Sequence, residues 1–285
     1  MIQYTVRQSR PQRGLDATCF HRYQSVDGTV WTEFYRAGEG YLLRFPELAD
    51  FEVSRDGKVV VAHPGDTVDA ATVEHLYTNQ LMPLALSRQG RAAFHASVVT
   101  VAGGAIAFLG ESGAGKSTLA ASFALHGSAF LTDDALVVEE IDGGCRALPG
   151  HASLRLWDDS VKALVGAAHP QMRDLAYSSK TRLSADEALA HSDKGQPLRA
   201  AFVLQPQGVE AINIYPLRGM ERFMSWVGHS FLLDIEDRAL LSRHFEWTHR
   251  IADAVPTFSL GYPRNYDILS QVRSGVQRHM AEHDI

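Results

Sequence analysis

The 285-residue chain carries a net charge of −6 and a sequence pI near 6.1, with 45% hydrophobic and 21% charged residues. That composition suits a globular protein with a core of its own, and the acidic balance argues against binding nucleic acid through bulk charge. Cys19 and Cys145 stand far apart in no metal-type spacing, so neither a disulfide framework nor a zinc site is expected, and a reducing cytoplasm fits best. The opening run MIQYTVRQSRPQRG is too polar for a secretory leader, and no apolar run reaches membrane-span length, so no membrane is expected as a partner.

Along the chain, residues 1–66 read as strands and turns: WTEFYR, YLLRF and FEVSRDGKVVVAH cluster β-formers, and RDGK between two such runs signals a hairpin. From Ala70 to Arg88 the period changes to a helical stripe carried by Val73, Leu76, Leu81 and Leu84, with Pro83 expected to bend it. FHASVVTVAGGAIAFLG then reads as two strands joined by Gly103-Gly104. A helix is expected over 116–126, with Gly127 just past its end. AFLTDD and ALVVEEI read as strands on either side of an Asp pair, followed by short strands at CRAL and SLRLW and a helix over 158–165. Residues 166–196 read as a long, polar, irregular loop. AAFVLQP and AINIYPL are two more strands, and from Met220 amphipathic helices alternate with VPTFSLGYP. Interleaved strands and helices give an α/β class, divided into a strand-rich N-terminal domain over 1–88 and a second domain over 89–285.

The chemistry concentrates in GESGAGKS, residues 110–117, which fits GxxxxGK[ST] at every position. Gly110, Gly113 and Gly115 let the backbone curl so that its N–H groups, with those of Glu111, Ser112 and Ala114, point at phosphate oxygens. Lys116 supplies a cation to the outer phosphates and Ser117 a hydroxyl to Mg²⁺; Thr118 follows on the helix, whose positive N-terminal end faces the same site. The buried-strand run AIAFL before the loop and the helical run STLAASFAL after it supply the required context. ATP and Mg²⁺ are the expected ligands.

A phosphate loop needs a carboxylate on a neighbouring strand to hold the metal shell. AFLTDD supplies Asp133 and Asp134, and both can face one site only if the strand ends there, because successive strand residues point opposite ways. A nucleotide hydrolase needs one carboxylate, whereas a kinase acting on an alcohol gains from a second as base. His95, which opens FHASVV, is by spacing alone a structural histidine, and the 13 histidines include no HExxH run.

The run from His95 through Gly110 to the Asp pair resembles the C-terminal catalytic domain of the HPr kinase/phosphorylase family. There a histidine precedes the first loop glycine by the same separation, and one helix, a glycine turn and a strand ending in paired aspartates follow. The chain is more similar still to the small HPr-kinase-like proteins of lasso-peptide biosynthesis, through HAS, the loop GESGAGKSTLAA, HGSAFLTDD and LPGHASLRLWDD. This resemblance implies a P-loop kinase domain of the HPr kinase type and transfer of the ATP γ-phosphoryl group to a serine hydroxyl of a peptide, the C-terminal serine of a lasso precursor. It implies Asp133 as base, Asp134 beside Mg²⁺, His95 bonded to one of them, and Lys180 of AYSSKTRL as a phosphate or substrate contact. The EIRGLG-type stretch tied to phosphorolysis is absent, so the resemblance does not extend to that reaction. Kinases of free serine or of an HPr-like protein, and a nucleotide-sensing module without chemistry, are the competing readings; a homo-oligomer is left open.

Overall fold

The computed structural model describes residues 2–24, 28–165, 172–175, 178–185 and 189–285, and for 172–175 and 178–180 the description is of the backbone. The chain divides into two compact units, residues 1–91 with 232–240, and residues 92–231 with 241–285.

In the first unit, six strands form one sheet: β1 (Gln3–Val6), β2 (Cys19–Gln24), β3 (Val30–Ala37), β4 (Gly40–Phe45), β5 (Ala49–Val53) and β6 (Val59–Pro64), in the order β1-β6-β5-β4-β3-β2. The four strands β3 to β6 form a meander of antiparallel pairs, while β1 lies parallel to β6. The RDGK hairpin forms as expected between β5 and β6. Gly57 takes φ +72° there, and a Cβ on it would clash with the carbonyl oxygen of Ala85. The helical stripe forms α1 (Ala70–Leu76), a π-helical turn over Tyr77–Leu81, and α2 (Met82–Arg88). Pro83 cannot donate a main-chain hydrogen bond. The widened turn lies just ahead of it, and the proline falls in the first turn of α2, where a missing N–H does no harm. Residues 232–240 are tied into this unit by Asp234, whose carboxylate accepts from Arg36 Nη2 at 2.9 Å and Tyr41 hydroxyl at 3.0 Å. Arg88 Nη1 donates to Asp237 Oδ2 at 2.7 Å, and the Leu233 N–H donates to Ser87 Oγ at 3.2 Å.

The second unit is α/β. Its strands are β7 (Ala92–Phe94), β8 (Ala96–Val101), β9 (Gly104–Leu109), β10 (Phe130–Thr132), β11 (Leu136–Ile141), β12 (Gly144–Ala147), β13 (Ser153–Trp157), β14 (Met172–Leu175), β15 (Ser178–Ser184), β16 (Gln196–Leu204), β17 (Asn213–Pro216) and β18 (Thr257–Gly261). Its helices are α3 (Lys116–Ala124), α4 (Asp158–Leu164), α5 (Gly219–Val227), α6 (Arg238–Ala254) and α7 (Leu269–Glu282). The large sheet runs β10-β8-β9-β16-β12-β11-β7, with β18 also beside β16 and β17 beside β18. Strand β16 pairs parallel with β9 on one side and with β18 on the other, while its first residues pair antiparallel with β12.

The apolar run of β9, antiparallel to β8 and parallel to β16, is buried on both faces, as a strand inside a sheet covered on both sides requires. Ile106 and Phe108 pack in one cluster with Leu119 and Phe123 of α3 and Val272 and Val276 of α7. Ala105, Ala107 and Leu109 pack in the other with Trp226 of α5 and Ile251 of α6. Helix α3 ends near Gly127 as expected: the Ser128 N–H reaches back to the Phe123 carbonyl at 3.2 Å, the long bond of a Schellman ending.

One stretch departs from the sequence reading. Residues 166–196 are not irregular throughout: β14 and β15 lie within them and pair, antiparallel, into a three-stranded sheet ordered β13-β15-β14. Thr181 and Leu183 are buried while Arg182 between them is not, so the strand alternates with period two behind mostly polar residues.

Candidate nucleotide-binding site

Strand β9 ends at Leu109 and the chain enters the 110–115 loop, which turns on itself through a hydrogen bond from the Ala114 N–H to the Glu111 carbonyl at 3.1 Å. Gly115 occupies the N-cap position of α3 with φ +90°, and a Cβ there would meet the Tyr262 hydroxyl at 3.2 Å. No side chain caps α3, so its first N–H groups are left for a ligand at the positive end of the helix. Lys116 is buried, and its Nζ donates to the carbonyls of Gly110 at 2.7 Å and Glu111 at 3.0 Å. A cavity of about 250 Å³ opens over this loop. Ser112, Gly113, Gly115, Lys116, Ser117 and Thr118 line one side, while Gly110, Glu111 and Ala114 shape the turn behind them. Across the cavity stand His95, Asp134, Arg155, Trp157, Tyr262 and Arg264. Thr118 is anchored by a hydroxyl chain, Oγ1 to Ser160 Oγ at 3.0 Å and on to the Tyr266 hydroxyl at 3.0 Å.

The Asp pair lies where β10 has ended. Asp134 takes φ +67°, a left-handed conformation that aspartate tolerates better than most residues, and the Ala135 N–H closes the turn onto the Asp133 carbonyl at 2.9 Å. This turn is what releases the two carboxylates from strand alternation. Asp133 Oδ1 accepts from Ser97 Oγ at 2.5 Å and from Ser117 Oγ at 2.9 Å, and Oδ2 accepts from the Arg155 N–H at 3.0 Å. Asp134 is on the cavity wall, and its Oδ2 accepts from Arg155 Nε at 2.9 Å and Nη2 at 2.6 Å. Both carboxylates are buried. Ser117 and Asp133 bring two hard oxygen donors together at the head of the loop, a donor set that suits Mg²⁺. Among the described residues no cluster of three or more His, Cys, Asp or Glu side chains could hold a metal ion on its own.

His95 lies at the break between β7 and β8, pinned by its own N–H to the His229 carbonyl at 2.6 Å. Its Nδ1 is 3.0 Å from the carbonyl oxygen of Asp134. A carbonyl only accepts, so Nδ1 carries the hydrogen and Nε2 is the acceptor of the neutral ring. Burial, then the charge of Lys116, drives the His95 pKa from the ordinary 6.5 down to about 4, against a smaller upward pull from Asp134. The unfolded chain therefore binds a proton below pH 6.5 that the folded chain refuses until about pH 4. His95 contributes stability that is complete above pH 6.5 and drains away as pH falls through this window, by about 3 kcal/mol at most. His95→Gln is expected to flatten the stability profile between pH 6.5 and 4 by that amount, read by denaturant unfolding at a series of pH values. Parallel profiles for the two proteins would show that His95 titrates normally.

All the loop residues named from the sequence, with His95 and the Asp pair, thus meet at one site. The side chain of Lys180 lies outside the described residues; its backbone pairs with Trp157. Arg155 and Ser97 were not identified from the sequence. The available signal for Arg155 was a charge inside the apolar run SLRLW, which demands a partner when buried. His279 and His283 lie with ring centroids 4.2 Å apart and planes tilted by 33°, outside any metal-ligating group among the described residues. Also among the described residues, no helix is long and apolar enough to cross a membrane.

No family model matches the sequence, and a comparison with curated proteins finds no match. Among solved structures, the chain is similar to the HPr(Ser) kinase/phosphatase from Coxiella burnetii, with 10% sequence identity and a TM-score of 0.35, over 68% of this chain and 99% of that one.

Proposed function

We propose that the protein is a Mg²⁺- and ATP-dependent kinase of the HPr-kinase-like type, which transfers the γ-phosphoryl group to a serine hydroxyl of a peptide. The observation that carries this reading is the division of labour within the Asp pair. Asp133 is bonded to the Ser117 hydroxyl at the loop, while Asp134 stands on the cavity wall with His95 against its backbone. One carboxylate at the metal and a second facing the cavity as base suit transfer to an alcohol.

The geometry favours the reverse of the roles expected from the sequence. Ser117 and Asp133 would hold Mg²⁺, which when bound neutralises charge on the β- and γ-phosphates. Lys116 leaves the carbonyls of Gly110 and Glu111 for the phosphates, and the loop amides stabilise the charge that develops during transfer. Arg155 fixes the Asp134 carboxylate through two donors, and Asp134 takes the seryl proton as the serine oxygen bonds to the γ-phosphorus and ADP departs. Neutral His95 supports that carboxylate through the Asp134 backbone.

The acceptor, the C-terminal serine of a lasso precursor, rests on the sequence resemblance, as does a cytoplasmic setting. In this reading residues 1–88 dock the peptide, with β2 as an edge strand open to an added strand, and residues 89–285 carry out transfer. Intact-mass spectrometry after incubation with Mg-ATP tests the reading on a serine-terminated precursor peptide, with free serine and an HPr-like protein in parallel. One added phosphoryl group on the peptide is the expected result. Transfer only to free serine or the HPr-like protein keeps the chemistry and replaces the acceptor; ATP bound without transfer to any of them favours a sensing module.

A further inference from the structure

Arg264 follows β18 and so sits at the carboxyl end of the parallel trio β9, β16 and β18, the edge at which open α/β sheets bind their ligands. Its guanidinium lies over the Tyr262 ring, 4.1 Å from the centroid, and Nη2 donates to the Gln205 carbonyl at 2.6 Å. Nη1 is packed against the phosphate loop, 3.7 Å from where a Cβ on Gly115 would stand. Nε and Nη1 are nonetheless buried without a hydrogen-bond partner among the described residues. Buried donors of a charged group are rarely left unmet, because removing them from water is costly unless an acceptor replaces it. An arginine serving only as a brace would spend those donors on carbonyls or carboxylates. This one keeps them, on the wall of the same cavity as Lys116, and a guanidinium stays charged at any working pH.

We propose that Arg264 is a second phosphate-binding cation of this site, contacting the polyphosphate of a nucleoside triphosphate beside Gly115. Stacking on Tyr262 and the Gln205 contact hold it in place before the ligand arrives. Lys116 is meanwhile bonded to the loop's own carbonyls, and a phosphate that draws Lys116 off them reshapes the surface against which Arg264 lies. The proposal rests on the nucleotide-binding part of the kinase reading and is independent of the acceptor.

Calorimetric titration of the full chain with ATP, ADP, AMP and inorganic tripolyphosphate, without any acceptor, tests it. Arg264→Gln is expected to weaken ATP and tripolyphosphate by about tenfold to a hundredfold and AMP far less, with Arg264→Lys recovering part of the loss. The ratio of ATP to AMP affinity on one preparation does not depend on the fraction folded, so a destabilised variant still gives an answer. ATP affinity within about twofold of the wild type, or equal losses for ATP and AMP, overturns the proposal. Wild-type protein that binds neither ATP nor tripolyphosphate overturns it together with the kinase reading. Wild-type binding without transfer to any acceptor, with the graded loss in the variant, overturns the kinase reading and leaves Arg264 in its role.

Discussion

Lys116→Ala is expected to lower transfer by about a thousandfold and to abolish ATP binding at micromolar concentrations. The Lys116 ammonium is buried at the head of the loop against the carbonyls of Gly110 and Glu111, so its charge acts at short range and with little solvent screening. Losing one partner of a buried, hydrogen-bonded charge pair costs about 2–5 kcal/mol, which is the origin of the expected factor. Stability should hardly fall, since the substitution also removes a buried cation. Titration with ATP and a thermal melt on the same variant check both halves. ATP affinity close to that of the wild type would mean that the loop does not hold the triphosphate.

Asp134→Asn should separate binding from chemistry. Its cavity-facing carboxylate is the proposed proton acceptor, and an amide cannot take the proton; transfer should fall about 10²- to 10⁴-fold while ATP affinity stays within about threefold. Asp133→Asn should behave differently. Asp133 accepts from two serine hydroxyls and from the Arg155 N–H, and an amide has one oxygen. The hydroxyls can reverse their bonds, but the N–H cannot. The amide NH₂ therefore turns toward Ser117, occupies its lone pair and raises the Mg²⁺ concentration needed for half-maximal transfer. The opposite pattern, with Asp133→Asn silent toward Mg²⁺ and Asp134→Asn sensitive to it, would restore the assignment that the resemblance implied.

The phosphate loop was legible because its constraints are local. Strand, glycine turn, lysine and helix follow one another within 110–117 and its flanks, and each demands a particular residue type. The α/β class was legible for the same reason: apolar runs such as AIAFL and the change of period after residue 70 are properties of short windows. The strands β14 and β15 were not, because their alternation is written in polar residues; Thr181 is buried as fully as Leu183 yet carries no hydropathy signal. Arg155 was missed because its partner lies 21 residues away, in the turn after β10, and nothing in the spacing of 134 and 155 announces the pair. The roles proposed for the Asp pair depend on one backbone torsion, the left-handed Asp134, which no side-chain pattern encodes.

The clasp between residues 232–240 and the N-terminal part of the first unit has a consequence for the order in which the protein is made. Arg36 and Tyr41 wait for Asp234, 198 and 193 positions downstream, and Arg88 waits for Asp237, 149 positions on. The ribosome releases the whole phosphate loop, both aspartates and most of the large sheet before either acidic residue appears. The N-terminal sheet is therefore fastened long after it is translated, and a nascent chain completes the phosphate loop before it completes the unit that precedes it, while β18 and α7 of the second unit follow later still.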